Sequence, residues 1–138
     1  SQEPMVSWVQ GGKVLVSQMG AGSGANDALS IGFNDSAVEP GGLALSQDAD
    51  GNAIALWAQT LNGRSTLFAN RLRAGIGWSV PEPIDRTVAG GSFTPSVGMD
   101  ARGNAVAVWH QFIGNSLTNA WGNVFTEIED PTSARVGR

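Results

Sequence analysis

At 138 residues, 41% of them hydrophobic, the chain is long enough to bury a real core. Its net charge of −4, with Lys13 as the single lysine and no basic run, leaves no electrostatic footprint for nucleic acid. Cysteine is absent, which removes disulfides, Cys-based zinc sites and a thiol nucleophile together, and no apolar run is long enough to span a bilayer.

Residues 4–10 predict a short strand with Val6, Trp8 and Gln10 on one face. Gly11-Gly12 then supplies the positive-φ pair of a two-residue hairpin turn, and Lys13 to Met19 forms the return strand. A glycine-rich turn, Gly20-Ala-Gly-Ser-Gly24, leads to a weak strand over Ala28 to Phe33. Pro40-Gly41-Gly42 predicts a break, after which Leu43 to Gln47 enters the next unit. Asp48-Ala-Asp-Gly-Asn52 reverses the chain: Gly51 can take the left-handed conformation, and the Asp48 carboxylate can accept N–H bonds within the turn.

Ala53 to Thr60 is the next strand, with Ala53, Ala55, Trp57 and Gln59 on one face and Ile54 and Leu56 on the other. Asn62-Gly63 is a strong hairpin signal. Ser65 to Arg73 returns, and Ala74-Gly-Ile-Gly-Trp78 turns into a fourth strand ending near Ile84. A third unit enters at Thr94 to Met99, turns at Asp100-Ala-Arg-Gly-Asn104 and runs out over Ala105 to Phe112. It turns again at Gly114-Asn115 and returns over Leu117 to Ile128. Pro131 stops regular pairing, so the Thr132 to Arg138 tail is expected to be irregular. No segment has sustained helical periodicity.

The organising feature is a repeat. Asp48-Ala-Asp-Gly-Asn-Ala-Ile-Ala-Leu-Trp-Ala-Gln59 and Asp100-Ala-Arg-Gly-Asn-Ala-Val-Ala-Val-Trp-His-Gln111 agree at eight of twelve positions, and Trp8-Val-Gln10 is a fragment of the same unit. The tryptophans at 8, 57 and 109 are spaced by 49 and 52 residues. Beyond the signature, Trp121-Gly-Asn-Val-Phe125 matches Phe68-Ala-Asn-Arg-Leu72. Four short antiparallel strands in about 50 residues is the pattern of a β-propeller blade. The expectation is therefore all-β, with β-propeller-like four-stranded antiparallel blades, one complete and two partial. As one β-repeat domain over 1–138, it divides into a partial blade at 4–39, a full blade at 40–90, a partial blade at 91–130 and the tail at 131–138. Small Ala residues allow close sheet approach at one end of each middle strand, and Trp fills the wider gap at the other. A few blades cannot close a ring, and two apolar faces stay open. The chain is thus expected to be part of a longer propeller or to assemble with other copies of itself.

The D-x-x-G-N-A-x-A-V-W-x-Q units resemble repeats of secreted bacterial β-propeller-like proteins. They also have a distant similarity of position to the Asp-box turn of sialidase-type blades. Ser46-Gln-Asp48 begins as an Asp-box does, but Gly51 and Trp57 fall too late and Gly98 replaces the Ser in the third copy. The resemblance implies a propeller-like fold and export, and no reaction. A start at Ser-Gln-Glu-Pro without Met fits removal of a signal peptide or a proteolytic boundary. The expected location is extracellular or periplasmic.

Candidate sites are sparse. Asp48 to Asn52 looks like the start of a calcium loop, but Gly stands at position four, position twelve is Gln59, and Arg102 replaces Asp50 in the sister copy. A turn is the better reading. Repetition of the Trp-x-Gln pairs favours core packing over sugar stacking. If a glycan binds, the candidates are Trp78 and Trp121, which stand outside the repeated signature, with Asn70, Arg71 and Asn123 nearby. His110 is the only histidine, replaced by Val9 and Ala58 in the other copies, so no metal set or catalytic group is assigned. A glycosidase would need two placed carboxylates, or a Tyr with an Arg cluster, and Tyr is absent. The functional expectation is an extracellular binding or structural interaction module without a cofactor, its ligand a carbohydrate or a protein. The alternatives are a non-catalytic part of a secreted glycoside hydrolase and a subunit of an extracellular assembly joined through incomplete blades.

Overall fold

A computed structural model describes residues 3–20, 27–33, 38–61, 64–84, 92–113, 117–126 and 135–137. These form three antiparallel sheets, each built from one stretch of sequence. The first holds β1 (Met5–Gln10), β2 (Lys13–Gln18) and β3 (Leu29–Ser30). The second has β4 (Val38–Gln47), β5 (Ala53–Leu61) and β6 (Arg64–Arg73), with β7 (Gly77–Trp78) and β8 (Glu82–Pro83) both paired along β6. The third orders β9 (Ser92–Met99), β10 (Ala105–Ile113), β11 (Leu117–Phe125) and β12 (Arg135–Gly137) as β12-β11-β10-β9.

Turn chemistry explains the connections. Gly11 and Gly12 have φ of 60° and 75°, as a primed two-residue hairpin requires, and the flanking ladder pairs Gln10 with Lys13. The β5–β6 and β10–β11 registers match residue for residue. Ala53, Ala55 and Trp57 lie opposite Leu72, Asn70 and Phe68; Ala105, Ala107 and Trp109 lie opposite Phe125, Asn123 and Trp121. The sequence match between 68–72 and 121–125 is therefore also a structural one.

Alternation then decides the packing. In β5 the odd residues Ala55 and Trp57 face the first sheet, where they meet Val14, Val16 and Ile31; Phe68 joins them. Trp57 stacks on Phe68 with ring centroids 6.2 Å apart, and Phe33 meets the edge of Phe68 at 5.1 Å. Close approach depends on Gly32, since a Cβ there would lie 3.3 Å from the Trp57 ring. The even residues Ile54 and Leu56, with Leu67, Ala69 and Ile84, face the third sheet and meet Ala105, Ala107, Trp109 and Phe125. In both seams, then, the Ala-x-Ala-x-Trp face of a sheet packs on the aliphatic face of the sheet before it. A strand sandwiched on both sides must be apolar on both faces, and every residue from Ala53 to Gln59 is buried.

Three expectations are corrected. Pro40-Gly41-Gly42 does not break the chain: it lies inside β4, where pairing jumps from Val38↔Gln59 to Leu43↔Trp57. A bulge tolerates Pro and Gly because its residues leave the ladder. The tail is not wholly irregular, since Arg135–Gly137 pairs with Asn123–Phe125. An open strand edge offers unpaired backbone groups to any nearby segment, whatever its side-chain pattern. The third sheet consequently has four strands, not three. The fourth strand of the second sheet is split into β7 and β8. Expectations for Ala21 to Gly24, Asn62-Gly63, Gly114-Asn115 and the end of the last return strand at 127–128 lie outside the described residues.

Candidate functional site

The two Asp turns are the most site-like feature of the sequence, and their oxygens are already engaged. Asp48 Oδ1 accepts the backbone N–H groups of Asp50 and Asn52, both at 2.9 Å, and Oδ2 accepts the Asn52 amide at 2.8 Å. Asp100 repeats this with Arg102 N at 2.8 Å, Asn104 N at 2.9 Å and Asn104 Nδ2 at 2.9 Å. Gly51 and Gly103 take φ of 98° and 85° to close the turns. Asn52 further accepts the Ala74 N–H at 3.0 Å, tying the β4–β5 turn to the segment after β6.

Both carboxyls titrate below their usual range. At Asp48 burial pushes the carboxyl up, and the bonds from Asn52, Asp50 and Gly51 more than offset it. At Asp100 the Asn104 side chain is the main cause, followed by the Asn104 backbone. These are turn-closing carboxylates, and among the described residues no three His, Asp or Glu side chains gather as a metal set.

Gln two positions after Trp has an equally local role. The Trp57 indole N–H donates to Gln59 Oε1 at 2.6 Å inside the first seam, and Trp8 donates to Gln10 Oε1 at 3.1 Å at the surface. Period-two alternation puts both side chains on one face, so the Trp carries its own acceptor into the seam. The remaining Gln59 Nε2 finds no partner among the described residues, nor does Asn70 Oδ1.

Of the sequence-predicted ligand residues, Asn70 and Arg71 turn to opposite sides of the second sheet. Asn70 is buried and its Nδ2 donates to Ile31 O at 2.9 Å, bridging the second sheet to the first. Arg71 points the other way. Its guanidinium donates to Gly103 O at 3.0 Å and Thr126 O at 3.4 Å and lies 5.9 Å from the Phe125 ring centroid, bridging to the third sheet. Trp78 is half-buried against the first seam. Trp121 and Asn123 occupy the register positions opposite Trp109 and Ala107; their side chains lie outside the described residues. A recess between the second and third sheets, lined by Arg71, Arg73, Ser79, Glu82 and Phe125, holds one carboxylate among its described residues, short of the pair that glycoside hydrolysis needs.

What the geometry does expose is the two ends of the stack. On the outer face of the third sheet, Val106, Val108 and Val124 are 53%, 47% and 39% exposed. On the outer face of the first sheet, Val6 is 41% exposed, and Trp8 and Leu15 are half-buried. Two open apolar faces are expected from the sequence; the stacking order identifies these two as the ones that no described residue covers. A shallow recess lined by Thr94, Ser96, Val108, Trp109 and His110 borders the third-sheet face. Thr94 sits there at φ 56°, a conformation rare for a β-branched residue, where the β9–β10 register shifts by a bulge. No sequence signal marks this outlier except the following Pro95.

Among the described residues, no helix is long and apolar enough to cross a membrane. Searches against protein-family models, curated proteins and solved structures yield no match to this chain.

Proposed function

We propose that the chain is a segment of a β-propeller-type array working outside the cell as an interaction module, binding through its sheet faces and edges rather than through a catalytic centre. The carrying observation is the repeated seam: twice, an Ala-x-Ala-x-Trp face packs on the aliphatic face of the preceding sheet. Sheets stacked in chain order and in the same sense are what successive blades require. Export rests on the sequence resemblance alone.

The absence of cysteine offers a clean test. A single thiol at Val108→Cys reports access to the outer face of the third sheet. Appending a further copy of residues 38–84 through a flexible linker should slow labelling of that thiol, because the added Trp face covers it. Unchanged labelling with a folded appended unit would remove the array reading. For a carbohydrate ligand, binding on a glycan array should be lost in Trp78→Ala and kept in Gln59→Ala; no binding by the parent chain would leave protein as the ligand class.

A further inference from the structure

The two open faces are complementary halves of one kind of seam. At the third sheet's outer face, Val106 and Val108 stand where Ile54 and Leu56 stand in the second sheet; the first pair is 53% and 47% exposed, the second pair 0%. At the first sheet's outer face, Val6, Trp8 and Gln10 stand where Ala55, Trp57 and Gln59 are buried. We infer that two copies of this chain associate head to tail, the Trp8 face of one copy seating on the Val106–Val108 face of the next. The inference rests on reading the sheets as a continuing array, and it names the partner as a second copy.

Three features favour this pairing over like-with-like contact. Trp8 already donates its indole N–H to Gln10, as Trp57 does to Gln59 within a finished seam, so burial does not strand the indole donor. The Trp8 and Leu15 face carries bulk, whereas the opposing face carries Gly98 and Gly122 beside its valines. A Cβ at Gly98 would meet nothing within 4 Å, and at Gly122 only Ala107 O at 3.4 Å and the Val108 side chain at 3.8 Å. Trp57 uses a glycine, Gly32, in the same manner to approach the sheet before it. Joining Trp8 face to Trp8 face would oppose bulk with bulk, and joining valine faces would leave the glycine recesses unfilled. The contact is thus heterologous, and successive copies add in one direction to close a ring or extend a filament.

Sedimentation velocity on the parent chain and two charge-blocked variants tests the inference. The parent should gain mass with concentration. Val108→Lys and Trp8→Arg should each stay monomeric, since each lacks one half of the seam, and their equimolar mixture should form a dimer and nothing larger. Circular dichroism checks that each variant is folded, and Val106→Lys replaces Val108→Lys if the latter is not. Association of one variant alone would mean a like-with-like contact and overturn the inference. A parent that remains monomeric, with a monomeric mixture, would overturn it too. If thiol labelling at residue 108 still slows on appending a repeat, the array reading survives and the occupant is a sheet of the same polypeptide; if it does not, both readings fall.

Discussion

Leu56 and Val108 hold the same place in the repeat, yet Leu56 is fully buried and Val108 is 47% exposed. The same holds for Ala55, at 0%, and Val6, at 41%. Among the described residues, the middle sheet has a neighbour on each face, and the outer two have one each. Local pattern is nearly identical in the two regions, so the difference in burial comes wholly from what lies across the seam. Apolar area contributes about 25 cal/mol per Å² only where water is removed. Apolar side chains at matched positions therefore stabilise the middle of the stack and leave its ends available for contact.

Substitutions at matched positions would sharpen or break that contrast. The largest difference is expected at tryptophan: Trp57→Ala or Trp109→Ala should cost about 3–5 kcal/mol in urea unfolding, and Trp8→Ala less than about 1 kcal/mol. Equal losses at positions 8 and 57 would mean that the first sheet's outer face is covered. Next comes the aliphatic face, where Leu56→Ala should cost about 3 kcal/mol and Val108→Ala under about 1 kcal/mol. Gln59→Leu strands the buried Trp57 N–H and should cost about 1–2 kcal/mol, whereas Gln10→Leu should be close to neutral because water can reach the Trp8 N–H.

A gain is expected at Thr94→Gly, about 1 kcal/mol, as the positive φ becomes easy for the backbone. A loss there would show that the Thr side chain contributes more than the strain costs. The smallest effect is expected from pH. A carboxyl held low in the folded chain stabilises it fully above the unfolded value, and that contribution disappears as pH falls through the folded value. Unfolding midpoints should thus drop on acidification below about pH 4. The drop should be shallower in Asp100→Asn and Asp48→Asn; an unchanged slope would mean that these turns open before they protonate.

Much of the molecule was legible in local residue chemistry. Gly11-Gly12, the Asp48 and Asp100 turns, and the alternation through Ala53 to Gln59 each depend on interactions within a few residues, which sequence order alone specifies. Matching 68–72 to 121–125 was legible as well, because a repeat carries its register with it. The Pro40 to Gly42 bulge and the Arg135–Gly137 strand were not. Both depend on how the segment pairs with its neighbouring strand, β5 for the bulge and β11 for the tail, and neither has a side-chain periodicity of its own. The candidate ligand set of Trp78, Trp121, Asn70, Arg71 and Asn123 was chosen for chemistry and proximity in sequence. Consecutive strand residues face opposite ways, and that separated Asn70, tied to Ile31 O, from Arg71, tied to Gly103 O.

By itself, then, the sequence determined the all-β class, the repeat unit and the apolar faces of the strands. Only the tertiary structure decided the sense of stacking, which face of a sheet meets which face of its neighbour. Apolar alternation marks a face as suited to burial without naming its partner. The partner is chosen by fit across the seam, Trp57 over Gly32 and the Ala105–Ala107 strand against Ile54 and Leu56. That fit also determines which two faces remain open at the ends.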